Sequence, residues 1–138
     1  MDGYEVHASS DAETQAVGAQ LAGELRAGDL VWLEGPLGAG KTTLVRGLLL
    51  ALGVEGPVRS PTFNLLQTFD TVPPVVHADL YRVAGYQGIG LEDYLESHLV
   101  LIEWPDRAIG LAPIEEVWQV SIQFEGQGRR ITVVRPSA

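Results

Sequence analysis

Residues 35–42 read Gly-Pro-Leu-Gly-Ala-Gly-Lys-Thr, and no other stretch of the chain restricts its fold as severely. The spacing satisfies GxxxxGK[ST], a loop that works only when a buried strand leads into it and a helix leaves it. Both are legible. Leu30 to Leu33 is a short apolar run bounded by Gly28 and Gly35, as a strand buried on both faces requires. Residues 41–52 are leucine-rich, and Gly53 supplies a stop.

The loop's chemistry follows from its residue types. Glycines let the backbone curl so that successive N–H groups converge on an anion. A helix starting near Lys41 adds its unsatisfied N–H groups and the positive end of its dipole. Gly35, Leu37, Gly38, Ala39, Gly40, Lys41, Thr42 and Thr43 are therefore the expected nucleotide-binding residues. Lys41 is expected at the β- and γ-phosphates of ATP, and the Thr42 hydroxyl on Mg2+. Composition adds support. Of nine basic residues eight are arginine, and the single lysine is Lys41, where a compact point charge suits a phosphate better than a planar fork.

The remaining pattern fits one domain, residues 1–138, with one core. Residues 3–7 alternate weakly, as an edge strand does. Ser10-Asp11-Ala12-Glu13 reads as a capping box, followed by a helical face of Ala16, Val17, Gln20, Leu21 and Leu25 that should end near Gly28. Three strands are expected at 64–69, 75–80 and 99–104, a short helix near 91–97, and an antiparallel hairpin from 117–124 and 130–135 around Gly126 and Gly128. The expected architecture is α/β: a mixed, mostly parallel sheet flanked by helices and closed by that hairpin.

Two acids end apolar strand runs, Asp79 after Val75–Ala78 and Glu103 after Leu99–Ile102. Phosphoryl transfer beside such a loop needs a carboxylate near the metal. Glu103, with the cleaner run, takes the metal role with Thr42, and Asp79 that of orienting the attacking water. Lys41, Asp79 and Glu103 form the expected catalytic set. Ser60-Pro61-Thr62-Phe63 follows the helix, where a threonine senses a γ-phosphate in switch loops. Arg82 reads either as a charge-offsetting group or as a surface arginine. Ser60, Thr62, Tyr81, Arg82 and Trp104 mark the expected switch and docking region. His7, His77 and His98 show no ligand spacing. His77 shares a strand face with Asp79, which leaves a packed structural role and a site contact both open.

Some classes are disfavoured. The net charge of −9 repels phosphate backbones, so nucleic acid is expected only through a partner. With no cysteine, disulfides and thiolate metal sites are excluded. The apolar runs are too short to span a bilayer, and no signal peptide is visible, so a cytoplasmic protein is expected. No Asn-Lys-x-Asp or Asp-x-x-Gly element for guanine occurs. A small-molecule kinase would need an arginine-bearing lid, and the candidate span 83–98 has no arginine or lysine. That reading and a pure nucleotide-sensing binding module stay open as alternatives.

Gly35–Thr43 (GPLGAGKTT), Ser60–Phe63 (SPTF), His77–Arg82 (HADLYR) and Ile102–Asp106 (IEWPD) occur in an order and spacing that resembles the bacterial TsaE (YjeE) family. The resemblance runs over nearly the whole chain. It implies an ATPase subunit that works with a TsaB–TsaD heterodimer in threonylcarbamoyl modification of the tRNA adenosine beside the anticodon. It also implies that Thr42 and Glu103 match the magnesium site, Asp79 an essential acid, Thr62 the switch threonine and Trp104 the tryptophan after the acid. The same comparison puts Asp11 and Thr14 near the adenine and Arg129 near the nucleotide. The family commonly carries aspartate where this chain has Pro36, which implies a stiffer loop that retains binding.

Overall fold

The structure is a computed structural model and describes residues 2–56, 58, 65–81, 89–108 and 110–137. Seven strands form one sheet: β1 (Gly3–Ala8), β2 (Leu30–Glu34), β3 (Leu66–Phe69), β4 (Val75–Asp79), β5 (Leu99–Glu103), β6 (Trp118–Glu125) and β7 (Gly128–Val134). Their spatial order is β1-β7-β6-β2-β5-β4-β3. The four central strands, β6, β2, β5 and β4, run parallel, and antiparallel partners close both sides. The mixed, mostly parallel sheet expected from the sequence is the sheet observed.

The apolar runs alternate between two cores. Val31, Leu33, Val75, Leu99 and Leu101 face one side, where they pack on Val17 and Leu21 of α1 (Asp11–Ala22) and on Leu44, Val45 and Leu48 of α2 (Lys41–Ala51). Leu30, Trp32, Val76, Val100 and Ile102 face the other, against Leu91 and Ala108. Each fully buried leucine contributes about 1.5–3 kcal/mol relative to exposure. Both long helices therefore lie on one face, and short 3-10 turns at Leu91–Tyr94 and Pro105–Ala108 accompany the second core. Among the described residues no helix is long and apolar enough to cross a membrane.

Element ends differ from the sequence reading in instructive ways. Helix α1 stops at Ala22, capped at Gly23 rather than running to Gly28, and Leu25 is buried from the connecting turn. Ser10 caps the Glu13 N–H at 3.2 Å, but Glu13 answers to the Ser9 N–H and hydroxyl instead of Ser10, so the box is displaced by one residue. Helix α2 ends in a Schellman motif: Gly53 has φ +98°, its N–H bonds to Leu50 O, and Val54 N–H bonds to Leu49 O.

Two glycines decide how α1 and α2 meet. A Cβ at Gly18 would overlap the Leu44 carbonyl, and one at Gly47 would overlap the Gln15 backbone. Helix propensity alone favours alanine by about 1 kcal/mol, whereas overpacking costs about 1–3 kcal/mol. Because the obstructing atoms are backbone, overpacking wins. Gly18→Ala and Gly47→Ala are each expected to lower unfolding stability by about 1–3 kcal/mol in urea titrations; an increase would show that the helices separate freely.

Candidate functional site

The parallel centre brings the carboxyl ends of β2, β5 and β4, with the stretches singled out in the sequence, to one end of the sheet. Strand β2 ends at Glu34 and opens directly into the glycine loop. Strand β5 lies beside it with Leu33 opposite Glu103, and β4 lies beside β5 with Asp79 opposite Glu103. The two acids are thus neighbours in register, on the sheet face that carries α2.

Gly40 is the N-cap of α2, with φ +113°, and no side chain caps the helix start. No acid occupies the first turn either, so the N-terminal amides and the positive dipole end are left for an anion. Gly35 carries φ +153°, and a Cβ there would overlap the Ile122 carbonyl. The loop therefore enters flush against β6.

Lys41 is the electrostatic centre. Its side chain is buried at 5% exposure. Nζ donates to the Gly35 carbonyl at 2.6 Å and sits 3.8 Å from the centre of the Trp104 ring. Trp104 in turn packs at a tilt against the Tyr81 ring, with centroids 4.7 Å apart, and the Tyr81 N–H donates to Asp79 Oδ1 at 3.0 Å. Trp104 holds φ +62°, a conformation a bulky side chain rarely takes, and this bend ends β5 at Glu103. Burial lowers the Lys41 pKa, and the nearby Glu103 and Asp79 charges oppose that effect without cancelling it.

A cleft of about 450 Å3 opens over these groups. It is lined by Leu37, Gly38, Gly40, Lys41, Thr42 and Thr43 from the loop and by Asp79, Tyr81, Glu103 and Trp104 from the strand ends. Two expected loop residues stand outside it. Ala39 is fully buried, its N–H bonded to Pro36 O and its carbonyl to Arg129. Gly35 gives its carbonyl to Lys41. Both lie behind the residues that line the cleft and hold the loop's shape through these bonds.

Asp11, Thr14 and Arg129 meet in a separate recess of about 170 Å3 beside the loop. There Arg129 Nε donates to Ala39 O at 2.8 Å and Nη2 to Gly38 O at 3.4 Å, with its guanidinium over Phe124. Arg129 is thereby tied to the glycine loop itself. Ser60, Thr62 and Arg82 lie outside the described residues. Sequence reasoning passed over Leu65, which lines the cleft, and the Trp32–Glu34–Gln123 wall of a second recess that shares Lys41 and Trp104. Glu34 ends the loop's entry strand, a position legible in the sequence, whereas Gln123 arrives only through the pairing of β6 with β2.

Comparison with known proteins fixes the kinship. The family model described as "Threonylcarbamoyl adenosine biosynthesis protein TsaE" matches residues 8–132. The chain belongs to the TsaE family. It is 46% identical over 95 residues to the TsaE protein of Streptomyces coelicolor, a match spanning 64% of each chain. The TsaE protein of Aquifex aeolicus is 32% identical over 134 residues, covering 95% of this chain and 96% of that one. The crystal structure of Bacillus subtilis YdiB superposes with a TM-score of 0.84 at 30% identity, over 98% of this chain and 86% of that one. The fold is accordingly that of a P-loop protein.

The depressed Lys41 pKa has a stability consequence with a definite sign. The folded state disfavours the ammonium, so below the folded pKa Lys41 subtracts from stability. As pH rises from the folded pKa to the ordinary lysine value, the folded chain sheds its proton first and regains that loss. Lys41→Met is expected to raise the melting temperature of the nucleotide-free chain at pH 7, with the gain shrinking as the solution becomes strongly alkaline. A lower melting temperature at pH 7 would contradict the assignment.

Proposed function

We propose that this chain is the ATP-binding and ATP-hydrolysing subunit of tRNA threonylcarbamoyladenosine biosynthesis, acting in the cytoplasm through a TsaB–TsaD heterodimer. The observation that carries the chemistry is the meeting of an uncapped helix N-terminus, a buried ammonium and two paired strand-end carboxylates around one cleft.

The donor set suits Mg2+ held partly by substrate. Among the described residues no cluster of three or more His, Cys, Asp or Glu side chains forms a metal cage. Mg2+ prefers one or two hard oxygen ligands plus phosphates and water, which Thr42 and Glu103 supply. When bound, such an ion would supply neutralisation of phosphate charge.

The chain's own residues do the rest. Loop amides of the Gly38–Thr43 segment and the α2 dipole hold the phosphate oxygens. Lys41 leaves the Gly35 carbonyl and the Trp104 ring to meet the γ-phosphate, whose charge offsets the cost of burying the ammonium. Asp79, directly across from Glu103, orients the attacking water and accepts its proton. Trp104 and Tyr81, the latter 46% exposed, stand at the mouth of the cleft, so a partner that covers them reads whether nucleotide is present. The acidic surface fits a subunit that reaches tRNA only through its partners.

Phosphate release from ATP by the purified chain tests the reading, with and without purified TsaB–TsaD. Slow turnover alone, a rise with the heterodimer and loss in Lys41→Ala are expected. Asp79→Asn should lower kcat by about 100-fold or more, the usual scale for a general base, with nucleotide affinity kept. Turnover indifferent to the heterodimer would remove the pathway assignment, and transfer of phosphate to a small acceptor would replace it with a kinase.

A further inference from the structure

His77 is fully buried on β4, two residues before Asp79 and on the same face. Its Nε2 lies 2.7 Å from Glu103 Oε2. The register explains the contact. His77 faces Leu101 across the β4–β5 ladder and Glu103 is two residues farther on, a diagonal that long side chains bridge. Glu103 itself is 3% exposed. The other imidazole nitrogen, Nδ1, is buried and has no hydrogen-bond partner, and so is Oε1 of Gln67, the residue directly opposite on β3.

This pattern is an expensive way to fill a core. The neighbouring inward residues Val75, Leu99 and Leu101 are apolar, and a leucine at 77 would leave no ring nitrogen unpaired. The ring's one hydrogen bond therefore stands out as the reason for a polar residue here. An ionised carboxylate only accepts, so Nε2 carries the proton and donates it. With Oε2 fixed by His77, the Glu103 rotamer is set, and Oε1 is the oxygen left to serve the cleft.

We propose that His77 is a positioning residue, which orients the Glu103 carboxylate for a divalent cation through the Nε2–H···Oε2 hydrogen bond. The inference rests on the metal role given to Glu103 above. Outer groups that orient a ligating carboxylate typically change metal affinity by about 10–100-fold, and a buried partner with no second anchor belongs to that range.

The test uses the full chain and binding rather than turnover. Fluorescence of ATP carrying an N-methylanthraniloyl group is titrated with the parent, His77→Leu and His77→Gln, first in EDTA and then at increasing Mg2+. The expected result for His77→Leu is nucleotide affinity in EDTA within about twofold of the parent and a Mg2+ requirement raised about tenfold or more. His77→Gln, whose amide nitrogen reaches the Nε2 position, should recover most of the loss. An unmoved Mg2+ requirement in His77→Leu overturns the proposal, as does a glutamine variant no better than leucine. A parent whose nucleotide binding ignores Mg2+ overturns the metal role of Glu103 itself, and is distinguishable because it shows before any substitution. Should His77→Leu fail to fold, the 15N spectrum of the parent's histidine rings decides: Nε2-protonated His77 is expected, and a ring protonated on Nδ1 alone overturns the proposal.

Discussion

A lysine ammonium buried at the end of a parallel sheet needs partners in every direction, and the site is built by supplying them. Below Lys41 is the Gly35 carbonyl, above it the Trp104 ring, and beside it the charges of Glu103 and Asp79. Each partner comes from a different element: the β2 exit, the bend after β5, β5 itself and β4. The parallel ladder that sets Leu33, Glu103 and Asp79 side by side is therefore an electrostatic requirement as much as a packing one. Because desolvation outweighs these compensations, the ammonium is held below its ordinary pKa, and the free site is poised to gain from an anion.

The helices serve the same end. The close approach at Gly18 and Gly47 locks α2 onto α1, and it brings Thr14 of α1 to the back of Gly40 at the start of α2. The direction of the α2 dipole is fixed by a helix contact well away from the cleft it serves. Preorganisation of this kind sets the positive end of the helix at the cleft before any anion arrives.

Much of this was legible in the chain. The 30–53 segment announces strand, loop and helix because its glycines fall where only that geometry uses them, and Asp79 and Glu103 stand out because each ends a run too apolar to be a surface strand. What was not legible depends on distant partners. Strand β5 stops one residue short of the expected end because Trp104 bends to φ +62°, and β3 starts late because Leu65 holds φ +64°; no local preference of Trp or Leu predicts either. Ala39 looks like any loop residue until Arg129, 90 positions away, takes its carbonyl. His77 sat between two readings for the same reason: only the register across β4 and β5 reveals that a packed histidine and a site histidine are one and the same.

The Arg129 brace bears on the order in which the molecule becomes competent during synthesis. The glycine loop and its helix lie in the first half of the chain, yet the hydrogen bonds that hold the Gly38 and Ala39 carbonyls come from the start of β7, and β6 must be in place to pair with β2 and to receive Gly35. Among the described strands β1, which precedes the loop in the chain, pairs with β7, which follows every other strand. Such long-range closure is slow relative to local folding. A nascent chain with its glycine loop already outside the ribosome lacks the brace on that loop until residues 128–134 emerge, so the loop's final shape arrives late, together with closure of the strand order.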